Sequence, residues 1–414
     1  MDTKFKKYLT IIALGISGGS IYFLPFIKYV FYDAQVETMH IANTQSAFLV
    51  SIYGIANTIL YIPGGLLADK FKPKKVLIIS LMATGFLGLL YAFTFHYVLA
   101  VFIWVGLSFS TAFVFWSSLM KAVRIVGTEE EQGFMYGIYY ACNGVSAALV
   151  QFLALLAYNT AKGDVKGGFF RAVVVGAVSV IFAAVLLIFL MDDKKRAEED
   201  EDSKFKFKDA AFLLRQPIIW VFSFIVMAGY GYYSCISYFT PYLTEVKGVS
   251  ATVSGAFSII RNYVFLLLSP IGGLLADKVF KSTSKWLAVG FGFVAVTFLG
   301  VLLLPNHMNG TLAGIYTLLP GAVTMMVYGV IFSALGECGI PRAMTVTAIG
   351  LASIIGYLPD TIYNMIFGHW LDAHGGGGYT YIFIFLAVSG FIGVLLSITV
   401  SRRRGKEIIP GTKQ

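Results

Sequence analysis

The chain has 414 residues and a formal net charge of +9, with 57% hydrophobic and only 13% charged residues. Soluble globular domains contain about 45–50% apolar and about 25% charged residues, so this composition excludes an ordinary soluble domain and predicts contact with lipid. The three cysteines, Cys142, Cys235 and Cys338, match no disulfide framework or metal-binding pattern.

Twelve apolar runs follow one another along the chain. Each is long enough for a helix to cross about 30 Å of hydrocarbon. They predict an all-α integral membrane protein with twelve transmembrane helices. The runs lie at about 8–30, 45–68, 76–95, 97–120, 133–158, 168–191, 217–243, 251–275, 286–305, 311–336, 343–368 and 379–400.

Basic residues are distributed unevenly between the two sets of alternating loops. The set that includes both termini holds 25 Lys and Arg residues, and the other set holds only Lys162, Lys166 and Lys247. Because loops rich in Lys and Arg stay in the cytoplasm, this pattern predicts an even number of spans and cytoplasmic termini. The net charge therefore indicates membrane topology, and we expect no nucleic-acid partner.

The longest polar stretch divides the runs into two sets of six. It predicts a bundle over 1–191, a cytoplasmic linker over 192–216, and a second bundle over 217–414 that ends in a short basic tail. The linker is either a plain tether or a regulatory site.

The heptapeptide GGLLADK occurs twice, at 64–70 and at 272–278, and each copy ends the second span of its half. The shared position predicts a duplicated six-helix unit, with two pseudo-symmetric bundles. Small residues allow close helix packing in lipid, and an acid follows them at the membrane face. Each acid either caps its own helix or latches onto a helix start of the other half, near Gly133 or Ala343.

The stretch GGLLADKFKPKK resembles the signature of the loop between helices 2 and 3 in the major facilitator superfamily. Gly65, Asp69 and Lys70 match it, although Lys72 replaces its second glycine. The resemblance implies alternating access by rocking of two halves, with the motif at the cytoplasmic gate. The candidate gating residues are Gly65, Asp69, Lys70, Gly273, Asp277, Lys278, Glu131, Glu337 and Arg342.

Three further stretches resemble the organic-anion and organophosphate transporters of that superfamily. They read TEEEQGFMYGIYYACNGVSAAL, YFTPYLTEVKGVS and GECGIPRAMTVTAIGLASIIGYLPD. The GY-x-PD variant in helix 11 is similar to an uncharacterised bacterial branch. The phosphate-binding arginines of the organophosphate carriers in helices 1 and 7 are missing here, and only Lys28 lies near the first position.

Lys28, Arg171, Arg261 and Asp360 fall within apolar runs, where a charge is costly and usually faces a cavity. Of these, Arg261 and Asp360 lie deepest within their runs. In one interpretation Arg261 binds an anionic group of the substrate, and Asp360 carries a proton or balances the charge. In the other, the two form a structural pair.

Tyrosines and asparagines accompany these charges and predict a pocket for a small polar molecule, although each is also typical of helix packing. Tyr136, Tyr140 and Asn143 share one helix face, as do Tyr53 and Asn57. The candidate substrate-binding residues are Arg261, Asp360, Tyr22, Lys28, Tyr53, Asn57, Tyr136, Tyr140, Asn143, Tyr232 and Tyr357.

No nucleophile–base cluster, metal set or nucleotide-binding motif is evident in the sequence, so we expect neither an enzyme nor a cofactor. The sequence predicts a monomeric secondary transporter of a small organic anion in the inner membrane, coupled to protons. The alternatives are a carrier of neutral sugar-, polyol- or nucleoside-like solutes and a membrane sensor that binds its solute without moving it.

Overall fold

The computed structural model describes residues 3–68, 71–126, 132–192, 211–305, 308–341 and 344–403. Every regular element within these ranges is helical, and helices cover all twelve predicted spans. The predicted all-α membrane fold is therefore confirmed.

The first half of the chain begins with two helices that are joined by a turn, and further helices follow. Their bounds are Thr3–Ile21, Lys28–Met39, Asn43–Ala68, Pro73–Thr94, Tyr97–Ser108, Phe115–Val126, Gln132–Asn159 and Val165–Leu190. A π-helical segment, Phe109–Phe113, interrupts the fourth predicted span.

The second half contains more interruptions. Its α-helices are Pro217–Cys235, Phe239–Glu245, Ala251–Asn262, Ser269–Leu274, Thr283–Leu302, Gly310–Tyr328, Thr345–Gly356, Leu358–His374 and Gly378–Arg403. Short 3₁₀ segments at Ile236–Tyr238, Val264–Leu268 and Ile331–Glu337, and a π segment at Leu275–Val279, lie between them.

Nine helical stretches in the described part of the chain are long and apolar enough to cross a membrane. The last of them, Thr347–Arg403, contains both the eleventh and the twelfth predicted spans. The first and second predicted spans are not among the nine. Helix Thr3–Ile21, in the first, begins with three lysines in its first five residues.

Three of the interrupted spans break near a proline, where the sequence suggested one continuous helix. The first breaks between Ile21 and Lys28, the eighth between Asn262 and Ser269, and the eleventh at Tyr357. Each break contains or directly precedes a proline, namely Pro25, Pro270 and Pro359. Proline removes a backbone donor and its ring clashes with the preceding turn, so the helix ends there and restarts.

The chain divides into two compact units. Unit 1 contains Met1–Glu198 with Ser250–Val264, and unit 2 contains Glu199–Val249 with Phe265–Gln414. In unit 1, helix Pro73–Thr94 packs on Val165–Leu190, and helix Thr3–Ile21 packs on Gln132–Asn159. The bundle and linker boundaries proposed from the sequence stay a prediction.

The core of unit 1 forms two apolar clusters. One surrounds the buried rings of Tyr53, Tyr91, Trp104 and Phe169, and the other surrounds Phe115. In unit 2, helix Thr283–Leu302 packs along Gly378–Arg403, and helix Pro217–Cys235 packs on Thr345–Gly356. These packed helices fix the positions of the helix breaks. They thereby also fix the polar residues at the breaks, which are described next.

Candidate functional site

Three charged side chains are buried in the described part of the chain, and each lies at a helix break. Lys28 is 3% exposed, Arg261 0% and Asp360 5%. Lys28 begins helix Lys28–Met39, Arg261 is the penultimate residue before the break after Asn262, and Asp360 lies in the first turn after the break at Tyr357. Breaks in membrane helices leave backbone groups unpaired and typically mark binding sites.

In unit 1, the ammonium group of Lys28 lies over an aromatic ring. Its Nζ is 5.9 Å from the ring centroid of Tyr32. The hydroxyl of Tyr32 donates to Oδ1 of Asn43 at 2.7 Å, which fixes the ring. A ring face held in this way stabilises a cation through its quadrupole.

Arg261 belongs to a helix that docks on two others in unit 1. Ser258, one turn before it, donates its hydroxyl to the carbonyl of Tyr29. Asn262 donates to the carbonyl and the hydroxyl of Ser258, both at 3.0 Å. These bonds connect the segment that carries Arg261 to the helix that begins at Lys28.

Two further hydrogen bonds tie the same segment to helix Gln132–Asn159. Thr252 donates to Oδ1 of Asn159 at 2.5 Å, and Gln151 donates to the hydroxyl of Tyr263 at 2.9 Å. The segment is therefore held in unit 1 on both sides of Arg261.

Among the other predicted binding residues of unit 1, Tyr53 contacts the π segment Phe109–Phe113. The hydroxyls of Tyr53 and Thr111 are 2.7 Å apart, and Tyr53 contacts Phe26 edge-on. Oδ1 of Asn57 is buried and makes no hydrogen bond to protein. Tyr22 packs against Phe26, with ring centroids 6.5 Å apart.

The tyrosine and asparagine face predicted on the fifth span is only partly inside the protein. Asn143 donates to the hydroxyl of Tyr139 at 3.2 Å. Tyr140 contacts the ring of Tyr139 but is 54% exposed. Tyr136 is described only as backbone within its helix.

In unit 2, Asp360 accepts two short hydrogen bonds. Tyr230 donates to Oδ2 and Ser234 donates to Oδ1, both at 2.5 Å. Both donors lie on helix Pro217–Cys235, four residues apart, so they share one face. The buried carboxylate is thereby held by two hydroxyl groups, which oppose the cost of its burial.

Tyrosine rings cover this carboxylate site. Tyr230 meets Tyr357 edge-on at 4.5 Å between ring centroids, and Tyr233 stacks on Tyr328 at 4.2 Å. One turn further along, Tyr238 donates to Oδ1 of Asn364 at 3.0 Å. Hereafter, the acid cluster means Asp360 with Tyr230, Tyr233, Ser234, Tyr328 and Tyr357.

Tyr232, also predicted to bind substrate, lies outside the acid cluster. It is fully buried between Phe291 and Phe298, and its hydroxyl faces Gly390. Arg261 and Asp360 lie in different units, and their pairing stays a prediction.

The second copy of the GGLLADK repeat lies where helix Ser269–Leu274 continues into the π segment Leu275–Val279. A side chain at Gly272 would collide with the carbonyl oxygen of Met326, so this glycine permits the close helix packing expected of the repeat. A side chain at Gly273 would have room, and Asp277 and Lys278 are exposed. In the first copy, Gly65 is described only as helical backbone, and Asp69 and Lys70 lie outside the described residues.

Another gating candidate, Glu337, makes defined hydrogen bonds, and all of its donors lie in unit 2. Its carboxylate accepts from the hydroxyls of Ser282 and Ser284 and from the backbone N–H groups of Thr283 and Ser284. Burial raises the pKa of Glu337, but these hydrogen bonds outweigh it and leave the pKa below its ordinary value. Glu131 and Arg342 lie outside the described residues.

Several residues of these sites were absent from the predicted sets. Ser234 and Tyr328 complete the acid cluster, and Ser258 and Gln151 hold the segment of Arg261. The i, i+4 spacing of Tyr230 and Ser234 is a signal in the sequence. The bonds of Ser258 and Gln151 join residues more than 100 positions apart, so no local pattern indicates them.

Comparisons with known proteins agree with this fold. A profile of the Major Facilitator Superfamily matches residues 9–362. Inner membrane protein YihN of Escherichia coli (strain K12) is 29% identical over 98% of both chains. A probable sulfoacetate transporter, SauU of Cupriavidus necator, is 24% identical over 68% of this chain and 67% of its own length. A glycerol-3-phosphate transporter of Bacillus subtilis is 21% identical over 91% of this chain and 89% of its own.

Among solved structures, a bacterial homolog of the human lysosomal transporter Spinster, in an inward-facing and occupied conformation, superposes with a TM-score of 0.77. The alignment covers 98% of both chains at 16% identity. At this identity the likeness shows a shared fold only.

Proposed function

Because the chain belongs to the Major Facilitator Superfamily, we propose that it is a secondary active transporter of a small organic anion in the inner membrane. It works as a monomer by rocking-type alternating access, with both termini in the cytoplasm and with coupling to protons. Its similarity to named transporters and to an inner membrane protein supports a multi-pass transport protein rather than an enzyme.

The observation that carries the anion proposal is the sign of the buried charges in unit 1. Lys28 and Arg261 are buried there, at 3% and 0% exposure, and both side chains carry positive charge. A positive charge attracts an anion more strongly in a protein interior than in water. A carboxylate, sulfonate or phosphate group of a solute that reaches either cation gains this attraction.

The names of two relatives agree with this substrate class. Sulfoacetate and glycerol 3-phosphate are both small organic anions, although their acidic groups differ. The shared property is a compact anionic group, and this is the property that we assign to the substrate.

The first experiment is a thermal-shift screen on the purified protein. The panel contains sulfoacetate, glycerol 3-phosphate, small carboxylates, and neutral polyols and nucleosides. We expect one or more anions to raise the melting temperature and the neutral solutes to leave it unchanged, because binding to the folded state stabilises it. Stabilisation by neutral solutes alone would contradict the proposal and favour the neutral-solute carrier.

Arg261→Gln tests the role of the buried guanidinium, and Arg171→Gln is the matched control. Arg171 lies in the same unit but is exposed and donates to Thr160. We expect Arg261→Gln to weaken binding of the stabilising anion about 100-fold, or about 2.7 kcal/mol, and the control to bind normally. Unchanged affinity in Arg261→Gln would exclude it as the anion-binding residue.

Flux into proteoliposomes separates a carrier from a sensor. We expect the labelled anion found in the screen to exchange across the membrane, with the wild-type protein and with Arg171→Gln. Binding without exchange would favour the sensor.

A further inference from the structure

The acid cluster of unit 2 has the chemistry of a site for a single proton. Both oxygens of the Asp360 carboxylate lie 2.5 Å from a hydroxyl oxygen, one of Tyr230 and one of Ser234. An oxygen–oxygen separation of about 2.5–2.7 Å holds one hydrogen between the two atoms. A metal cation needs about 2.0–2.6 Å to each of several oxygens, so it does not fit between these pairs.

Each of these hydrogen bonds can exist in two directions with the same heavy-atom positions. A hydroxyl donates to a carboxylate, and it accepts from a protonated carboxyl group. The carboxylate therefore takes up a proton from water to become a neutral acid, and returns it to water, without displacing Tyr230 or Ser234. No other bond forms or breaks.

Tyrosines surround the carboxyl group in the described part of the chain. The titratable groups of the acid cluster are Tyr230 and Tyr233 on helix Pro217–Cys235, Tyr328, and Tyr357 at the helix break. Helix Thr345–Gly356 contains no titratable residue. On helix Gly378–Arg403, Tyr379 donates to Glu245 and Tyr381 contacts Trp370 and His374.

We propose that Asp360 is the proton-binding group of the transport cycle, and that Tyr230 and Ser234 are its positioning residues. This inference rests on the proposed transport function and names the site at which its coupling ion binds. Burial opposes the charged form of the carboxyl group, and the two hydroxyl donors favour it. One proton then crosses the membrane with each cycle in which Asp360 loads on one side and unloads on the other.

Infrared difference spectroscopy during a pH titration tests the site without any solute. The protein is reconstituted in lipid, and the carbonyl stretching band of a protonated carboxylic acid is followed. We expect a band that titrates in the wild type and is absent in Asp360→Asn. If the same band persists in Asp360→Asn, or if added Na⁺ changes the wild-type carboxylate bands at constant pH, the proton site is wrong.

Ser234→Ala and Tyr230→Phe keep the test decisive if Asp360→Asn fails to fold. Each removes one donor to the carboxylate, so the midpoint of the titration moves to higher pH by about one unit or more. Tyr238→Phe is the matched control, because it removes a hydroxyl one turn away that donates to Asn364. Equal midpoints in all three variants and in the wild type would overturn the positioning role.

Proteoliposomes loaded with a pH-sensitive dye separate this inference from the proposed function. Uptake of an anion without proton movement, together with a spectrum that lacks the titrating band, would reject the proton site and leave the transporter intact. A titrating band that depends on Asp360, in a protein that moves no anion of the panel, would reject the proposed substrate class and leave the proton site intact.

Discussion

The interiors of the two units differ in the sign and the setting of their buried charges. Among the described residues, unit 1 buries two cations, Lys28 and Arg261, and unit 2 buries one acid, Asp360. The acid has two hydroxyl donors from one neighbouring helix, whereas Lys28 lies over the ring of Tyr32. This difference underlies the two proposals, which assign anion binding to unit 1 and proton binding to unit 2.

The helix starts that follow the two GGLLADK copies show a second difference between the units. In unit 1, helix Pro73–Thr94 begins after Lys72, which makes no side-chain capping bond. In unit 2, helix Thr283–Leu302 begins after Ser282, whose hydroxyl accepts from Lys285, and Glu337 caps the same turn. The carboxylate compensates unpaired N–H groups and the positive end of the helix dipole.

The largest expected effect concerns the cations of unit 1. Lys28→Gln removes a buried charge, and we expect the affinity for the stabilising anion to fall between about 10-fold and about 100-fold. Isothermal titration calorimetry measures this affinity. Lys166→Gln, which changes an exposed lysine of the same unit, serves as the control. Equal affinity in both variants would show that the two buried cations do not act together.

The next effect concerns the cap in unit 2. Glu337→Gln replaces charge-assisted hydrogen bonds with weaker neutral ones, and we expect the free energy of unfolding to fall by about 1–2 kcal/mol. Thermal unfolding in detergent measures it. Glu245→Gln, which weakens the hydrogen bond that Tyr379 donates to this carboxylate, is the control and should cost less. A larger loss in the control would contradict the capping role.

The same cap predicts a dependence on pH. Because the folded-state pKa of Glu337 is lowered from its model-compound value of 4.5, the unfolded state binds its proton more readily. The stability from Glu337 is therefore fully present above about pH 5 and is lost as the pH falls through the folded-state pKa. We expect the melting temperatures of wild type and Glu337→Gln to converge on acidification. A difference between the two melting temperatures that stays constant between pH 7 and pH 4 would contradict this prediction.

The smallest effect comes from transferring a cap to unit 1. Lys72→Ser places a hydroxyl before helix Pro73–Thr94, and we expect a gain of about 0.5–1 kcal/mol in unfolding free energy. Lys72→Ala removes the same lysine without adding a cap. It therefore separates the effect of losing the lysine from the effect of gaining the serine cap. If both variants melt at the same temperature, this helix start does not benefit from a side-chain cap.

The sequence alone determined the class of fold and the position of most helices. Apolar runs of membrane-spanning length are a local property, because hydropathy is summed over neighbouring residues. The same reasoning singled out Arg261 and Asp360, since a charge in an apolar run is costly wherever the run lies. Lys28 was selected because it lies near a phosphate-binding position of the organophosphate carriers. The gating role of Glu337 stays a prediction.

Only the tertiary structure decided how these charges are held. Tyr230 and Asp360 are 130 positions apart, and Thr283 and Glu337 are 54 apart, so neither contact has a signature in a local window. The breaks at Pro25, Pro270 and Pro359 were also missed, because hydropathy does not distinguish a continuous helix from an interrupted one. A hydrogen bond depends on distances of about 3 Å between atoms that folding brings together, and hydropathy along the chain carries no such information.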